Sequence, residues 1–461
     1  MSSLRSLARL SSLALALALA GPAACTRSAP SPAPTDTSPQ SARDRHAEAP
    51  QPADSAAGPA SDPAPGAAIA TSEGQSSAAV TWKTSVKPKA ISDNVKLGIQ
   101  WLLAHQLPNG GWGQGDESPH MRGNQAAQRA TANVADTAMS LMALMRAGST
   151  PSEGPHAAAI SRGLGFILSE IEASDDESLY VTSIRGTRVQ GKIGTYVDTF
   201  TSLIVLTEAK GKMADAKQNA RLQAALAKVV DKIERNQRED GTWGNQGWAP
   251  VLTQSMAAKG LNRAAQSGEA IADDTLRRVE KQAQEQYDPE ARRFGGEGSA
   301  GVGLYAGAAN SASLRDSMNT RKAQEPALRK RRAEAKTERE RAAVDQQIAD
   351  NKSAEDVAKD AERALLERLD EPSFIQGFGN NGGEEFLSYM LVSEALVAEG
   401  GDDWKQWDQK ITALMNRVQN GDGSWTGHHC ITGRTFCTAA ALLVLMADRT
   451  PVPVASQIQA G

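Results

Sequence analysis

The side chains best suited to chemistry in this chain fall into two groups. The first is a polar position that recurs at the start of apolar stretches. Asp136-Thr137-Ala138 stands five residues before Leu141 and eight before Leu144, and Asp198-Thr199-Phe200 keeps the same distances from Leu203 and Leu206. Cys437-Thr438-Ala439 repeats them ahead of Leu442 and Leu445, and Gln254-Ser255 and Ser388-Tyr389 occupy the corresponding place elsewhere. Carboxylates collected at an enclosed site act as acid, base or metal ligand, because burial and a nearby like charge raise one of their pKa values. Asp136 and Asp198 are therefore the candidate catalytic residues. Asp, Ser and Thr also cap helix N-termini by accepting bonds from orphan N–H groups, and spacing alone does not separate the two roles.

The second group is Trp425-Thr-Gly-His-His-Cys430, followed by Thr435-Phe-Cys437. His428, His429 and Cys437 offer imidazole and thiolate in a short span, a donor set that suits zinc. Three readings stand open: a zinc site, free thiols, or a Cys430–Cys437 disulfide, which an oxidising compartment would favour. No other cofactor is predicted.

Helices must hold these positions in place, and the sequence marks where they end. Three times a helical stretch runs into Gln and then a turn ending in Gly-x-Trp: Gln106-Leu-Pro-Asn-Gly-Gly-Trp112, Gln237-Arg-Glu-Asp-Gly-Thr-Trp243 and Gln419-Asn-Gly-Asp-Gly-Ser-Trp425. Asn-Gly and Asp-Gly supply the positive φ of a tight turn, after which the Trp folds back on the preceding helix. A unit reused along a chain means a repeat architecture in which no unit buries its apolar face alone.

Apolar periodicity predicts outer helices over residues 95–106, 159–171, 222–236, 274–287, 354–369 and 404–419. Each precedes a more apolar inner segment, at 134–148, 197–211, 251–264, 302–318, 385–400 and 436–448. Phe294-Gly-Gly296 and Phe378-Gly-Asn380 read as worn copies of the turn in the fourth and fifth pairs. Residues 319–353 are rich in interleaved charge, and they predict a solvated helical excursion lengthening the fifth outer helix, or else a partner-binding arm.

Ahead of the repeats, Arg5 and Arg9 followed by the short apolar run 10–20 read as an export signal, too brief to span a bilayer. Pro22-Ala23-Ala24-Cys25 looks like a lipobox, which makes Cys25 the expected lipidation site; cleavage after Ala20 or Ala24 is the alternative. Residues 26–85 are Pro, Ala, Ser, Gly and Thr, and read as a disordered tether between a membrane anchor and the folded part at 86–450, with 451–461 as a tail. The expected location is the cell envelope of a bacterium, on the periplasmic or outer-membrane face. A net charge of −4 gives no sign of a nucleic-acid partner.

The Gln and Gly-x-Trp turns resemble the QW motif of the terpenoid cyclase and protein prenyltransferase superfamily, whose squalene-hopene cyclase members carry it. The resemblance spans about residues 95–448 and implies an all-α fold, an α/α toroid of about six helical hairpins, with Gln106, Trp112, Gln237, Trp243, Gln419 and Trp425 in structural roles. It implies chemistry less firmly. The Cys437-Thr438 pair looks like the His-Thr of the prenyltransferase zinc set, whose Asp-x-Cys partner has no counterpart near Glu384-Glu385-Phe386. The nearest likeness to the cyclase acid motif is Ile271-Ala-Asp273-Asp274-Thr275, on a charged outer-helix sequence.

With only 4% aromatic residues the chain is poorly equipped to line a cavity for carbocations, but Tyr196, Phe200, Tyr389 and Phe436 would serve a binding pocket. The leading expectation is an exported, lipid-anchored repeat protein holding an apolar small molecule, a glycan or a protein in its ring. The alternatives are an isoprenoid-handling cyclase or prenyltransferase, and a polysaccharide lyase-like toroid, since Asn109-Gly-Gly-Trp112 also resembles a turn found there.

Overall fold

The structure, a computed structural model, describes residues 82–117, 126–379 and 381–453. Cys25, the export signal and the tether up to residue 81 lie outside the described residues.

Among the described residues, twelve long helices alternate between two environments. In chain order they are α1 (Asp93–Ala104), α2 (Val134–Arg146), α3 (Ala157–Ala173), α4 (Val197–Ala209), α5 (Ala216–Asn236) and α6 (Val251–Gln266). There follow α7 (Asp273–Glu285), α8 (Gly303–Glu334), α9 (Glu338–Arg368), α10 (Gly383–Glu399), α11 (Gly401–Arg417) and α12 (Arg434–Leu445). Even-numbered helices are buried on nearly all sides, α8 only as far as Thr320, as in α4, where every residue from Val197 to Ala209 is enclosed. Odd-numbered helices bury one stripe, as α5 does with Leu222, Leu226, Val229 and Ile233. That contrast separates an inner layer from an outer one.

The inner helices touch one another in the order α2, α4, α6, α8, α10, α12 and back to α2. Such a closed cyclic order agrees with the toroid the repeats imply. The Gln and Trp turns tie the layers together. Each indole N–H reaches back ten residues to a carbonyl on the preceding outer helix: Trp112 to Leu102 at 2.8 Å, Trp243 to Ile233 at 2.8 Å and Trp425 to Met415 at 2.9 Å. Each Gln donates to the first turn of the next outer helix, Gln106 to Ala159 O at 2.9 Å and Gln237 to Thr275 O at 3.2 Å. Gln419 reaches Asn94 O at 2.9 Å, which joins the last repeat to the first. Gly98 and Gly163 lie under Trp425 and Trp112, where a Cβ would come within 2.8 and 2.9 Å of the ring.

Two expectations about boundaries change. The charged segment 319–353 lengthens both partners of a hairpin: α8 continues through Pro326 to Glu334, and α9 begins at Glu338 behind a capping box of Thr337 and Glu340. Strong helix formers simply propagate the inner helix outward until 335–337 interrupts it. Residues 82–84 and 451–453, placed by sequence in the tether and the tail, pair as short antiparallel strands, with Lys83 opposite Val452.

Candidate functional site

The two ends of the ring differ in chemistry. Toward the C-terminal halves of the inner helices, five buried charged side chains meet. Arg146 on α2 holds Glu208 on α4 through two bonds of 2.6 and 2.7 Å and reaches Glu394 on α10 at 3.4 Å. Lys259 on α6 pairs with Glu394 and with Asp316 on α8, both at 3.0 Å. Neither α2 nor α6 adjoins α10 in the cyclic order, so these pairs cross the middle of the ring. Burial alone would raise the Glu394 carboxyl, but Lys259 and Arg146 hold it down, at about 2. Thr450 donates to Glu394 at 3.3 Å and the Arg263 guanidinium to Pro451 O, so the paired terminal strands lie at this end. Among the described residues, then, no straight apolar channel runs through this part of the ring.

At the other end, where the inner helices start, Asp136, Asp198, Glu384 and Glu385 are buried with no Lys or Arg ion pair among the described residues. Glu384 and Glu385 open α10 and are fully enclosed. Glu385 Oε1 accepts from the Tyr305 hydroxyl on α8 and from Phe378 N at 3.0 Å. Its Oε2 lies 3.3 Å from His429 Nε2. Glu384 Oε2 accepts from Ile431 N at 3.2 Å, and Glu384 Oε1 has no hydrogen-bond partner. Burial and the charge of Glu385 push the Glu384 carboxyl up to about 7, against a pull from His429. Over the acids sits a partly exposed aromatic rim. Phe378, 38% exposed, packs edge-on to Trp248 at 5.0 Å and to His429 at 5.3 Å, while the Lys192 amine lies 6.0 Å from the Trp248 ring.

Residues 76–183 match the family model of the squalene-hopene cyclase C-terminal domain. That segment is terpenoid-cyclase-like. The matched segment carries the first helix pair and α3, less than half of the chain. No curated protein matches the chain.

Against this cyclase-like frame the predicted site residues separate. Asp136 is fully buried; Asn133 Nδ2 donates to its Oδ2 at 2.6 Å and its Oδ1 has no partner. Burial above all, then the charge of Asp198, push Asp136 up to about 7, while the Asn133 bond opposes them. Asp198 is a cap for a neighbour: its Oδ1 accepts from Ala135 N at the start of α2 at 2.9 Å, and its Oδ2 from Gln190 at 2.7 Å. The adjoining threonines are structural. Thr137 Oγ1 and Thr438 Oγ1 accept from the backbone N–H of Trp112 and Trp425 at 2.8 and 2.9 Å.

Several expectations need correction. Phe200, Tyr389 and Phe436 are at most 1% exposed and belong to the core, with Phe200 edge-on to Trp243 at 5.2 Å. Tyr196 alone of that set is partly exposed, beside Tyr180 at 5.0 Å. The His428 side chain is exposed, so the donors that converge are His429, Glu384 and Glu385, not His428, His429 and Cys437. Cys430 and Cys437 are buried separate thiols, with no disulfide between them; burial and then Glu384 raise the Cys437 thiol well above its ordinary range. Phe378 is a rim residue instead of a worn indole. Asp273 and Asp274 lie in the first turn of outer helix α7, where Asp274 pairs with Arg278 at 2.6 Å.

A groove of about 750 Å³ lies away from this mouth, between α7 and the charged hairpin, lined by residues such as Arg277, Glu280, Arg321 and Asp350. Several of its charges are paired with one another, as Arg321 is with Glu280 and Arg278 with Asp274, and we read it as solvated surface. Among the described residues no helix is long and apolar enough to cross a membrane.

Proposed function

We propose that this cyclase-like repeat protein is exported, lipid-anchored through Cys25, and binds a glycan at the acidic mouth of its ring. The observation that carries the reading is the contrast between the ends: ion pairs cross one, while the other sets half-exposed aromatic faces over carboxylates. Aromatic faces stack on the C–H faces of sugar rings and polar groups beneath fix orientation. A long apolar ligand threading the ring would have to displace buried ion pairs, which costs several kcal/mol.

A glycan array probed with the purified full-length chain, alongside farnesol as an apolar probe, tests the ligand class. The reading expects a sugar hit that is lost in Trp248→Ala and Phe378→Ala. Binding of farnesol alone, or sugar binding indifferent to both substitutions, overturns it. Cys25→Ser should move the protein from the membrane to the soluble fraction; unchanged fractionation and no acyl chain on Cys25 by mass spectrometry contradict the anchor.

A second reading, an isoprenoid-handling enzyme, is favoured by the family match and by Asp136. A buried carboxyl with its pKa near 7 is protonated often enough at neutral pH to act as a general acid. Product analysis with squalene and with farnesyl diphosphate tests it, and Asp136→Asn should abolish any cyclised or transferred product.

A further inference from the structure

We infer that Glu384, Glu385 and His429 form a binding site for one divalent cation of the zinc, cobalt or manganese type. One ligand atom from each residue lies within 4.8 Å of the others. The backbone builds this convergence. The loop before α12 pairs with the start of α10, Gly383 N donating to Ile431 O at 2.9 Å and His428 N to Asn381 O at 2.7 Å, which carries His429 over the two glutamates. Glycine is required beneath it: a Cβ on Gly382 would come within 2.8 Å of both Glu385 Oε2 and His429 Cε1, and one on Gly383 within 2.5 Å of Ile431.

The acids are not explained by the fold alone. Helix capping would use them as acceptors for the first N–H groups of α10, yet Glu384 bonds Ile431 and Glu385 bonds Tyr305 and Phe378. Glu384 Oε1, in a side chain with no exposure, is left with no donor. Among the described residues neither glutamate pairs with Lys or Arg, and the basic group against them is the His429 imidazole, whose Nε2 lies 3.3 Å from Glu385 Oε2. Two adjacent buried carboxylates with an open lone pair must hold a proton or meet a positive charge, and a metal supplies that charge with more than one bond.

Two carboxylate oxygens and an imidazole nitrogen suit zinc or manganese, whereas calcium and magnesium take oxygen throughout. Three protein ligands leave a further position for water or a ligand oxygen. The inference deepens the reading of the mouth as the working site. In that reading the open position faces the rim, where a sugar hydroxyl would complete the coordination.

The test is a Co²⁺ and Zn²⁺ titration of the metal-stripped, detergent-solubilised full-length chain, followed by visible absorption and calorimetry with no glycan present. A single equivalent of Co²⁺ should bind with the absorption bands of a low-symmetry site, and Zn²⁺ should displace it. Glu384→Gln and His429→Gln should each weaken binding by about 100-fold, at least as much as loss of a supporting group does, while His428→Gln leaves it unchanged. Since a variant can fail to fold, the parent alone gives a second readout: its thermal midpoint should rise with saturating Zn²⁺. No Co²⁺ spectrum in the parent, or equal binding in Glu384→Gln and His429→Gln, overturns the site. Metal binding without any glycan hit would retain the site and overturn only the glycan reading.

Discussion

The Asp136→Asn variant should gain stability relative to the parent as the pH rises. Asp136 is fully buried, with a pKa pushed up to about 7 from the ordinary 3.8. Its neighbours offer little help: Asn133 donates one bond, Asp198 adds a like charge, and the nearby Cys437 is a neutral thiol. A carboxyl whose folded pKa is raised binds more protons folded than unfolded between those two values, so stability falls as pH rises through that window and then levels off. At about 1.4 kcal/mol per pH unit, the ionisable group lowers stability by ~1.7 kcal/mol at pH 5 and by ~4 kcal/mol at pH 8.

Asparagine mimics the neutral form at all pH values, although its amide N–H₂ gains no obvious acceptor at Oδ1's position, which costs ~1–3 kcal/mol at both pH values alike. The difference between the two pH values is free of that offset. Urea denaturation of parent and Asp136→Asn, followed by circular dichroism at pH 5 and pH 8, should therefore show the variant gaining ~2.5 kcal/mol relative to the parent between them. An equal stability difference at the two pH values, or a variant that loses ground at pH 8, would refute the buried, proton-holding environment of Asp136.

The remaining predictions concern the repeats and the ion-paired end. Trp243→Ala should cost about 3–5 kcal/mol, since the indole is 3% exposed, bonds Ile233 O and packs on Phe200; an unchanged denaturation midpoint contradicts its role as a tie between layers. Glu394→Gln leaves Lys259 with Asp316 alone and Arg146 with Glu208 alone, so it should cost about 1–3 kcal/mol near neutral pH. The sign with pH is opposite to that of Asp136: Glu394 holds its proton less tightly when folded, so its contribution is present above the ordinary glutamate range and is lost as pH falls toward 2. A variant as stable as the parent at pH 7, measured by urea melts, contradicts the reading.

Much of the architecture is legible in the sequence because it depends on local periodicity. The apolar stretch from Val197 and the single stripe from Leu222 already distinguish inner from outer helices, and Gln106, Gln237 and Gln419 mark where outer helices end. The ion pairs across the ring are not legible, since Arg146 and Glu394 stand 248 positions apart and meet only once the ring closes. The mouth is half legible. The spacing that singles out Asp136 and Asp198 finds real helix starts, but Asp198 turns out to cap α2, a partner 63 positions away. Glu384-Glu385 reads as an acidic helix start because nothing local shows that the loop before α12 will fold over it. The absence of any Lys or Arg three or four residues along α10, combined with two glycines just before it, is the signal that could have drawn attention there.

The working role of the acidic mouth is tested most directly by diffraction from crystals grown with Zn²⁺, recorded on both sides of the zinc absorption edge. The account predicts an anomalous peak bounded by Glu384, Glu385 and His429, with metal–oxygen and metal–nitrogen distances of ~2.0–2.2 Å and a further ligand on the side of Trp248 and Phe378. A peak at His428 or on the outer surface, with the Glu384 and Glu385 carboxylates unliganded, would contradict it.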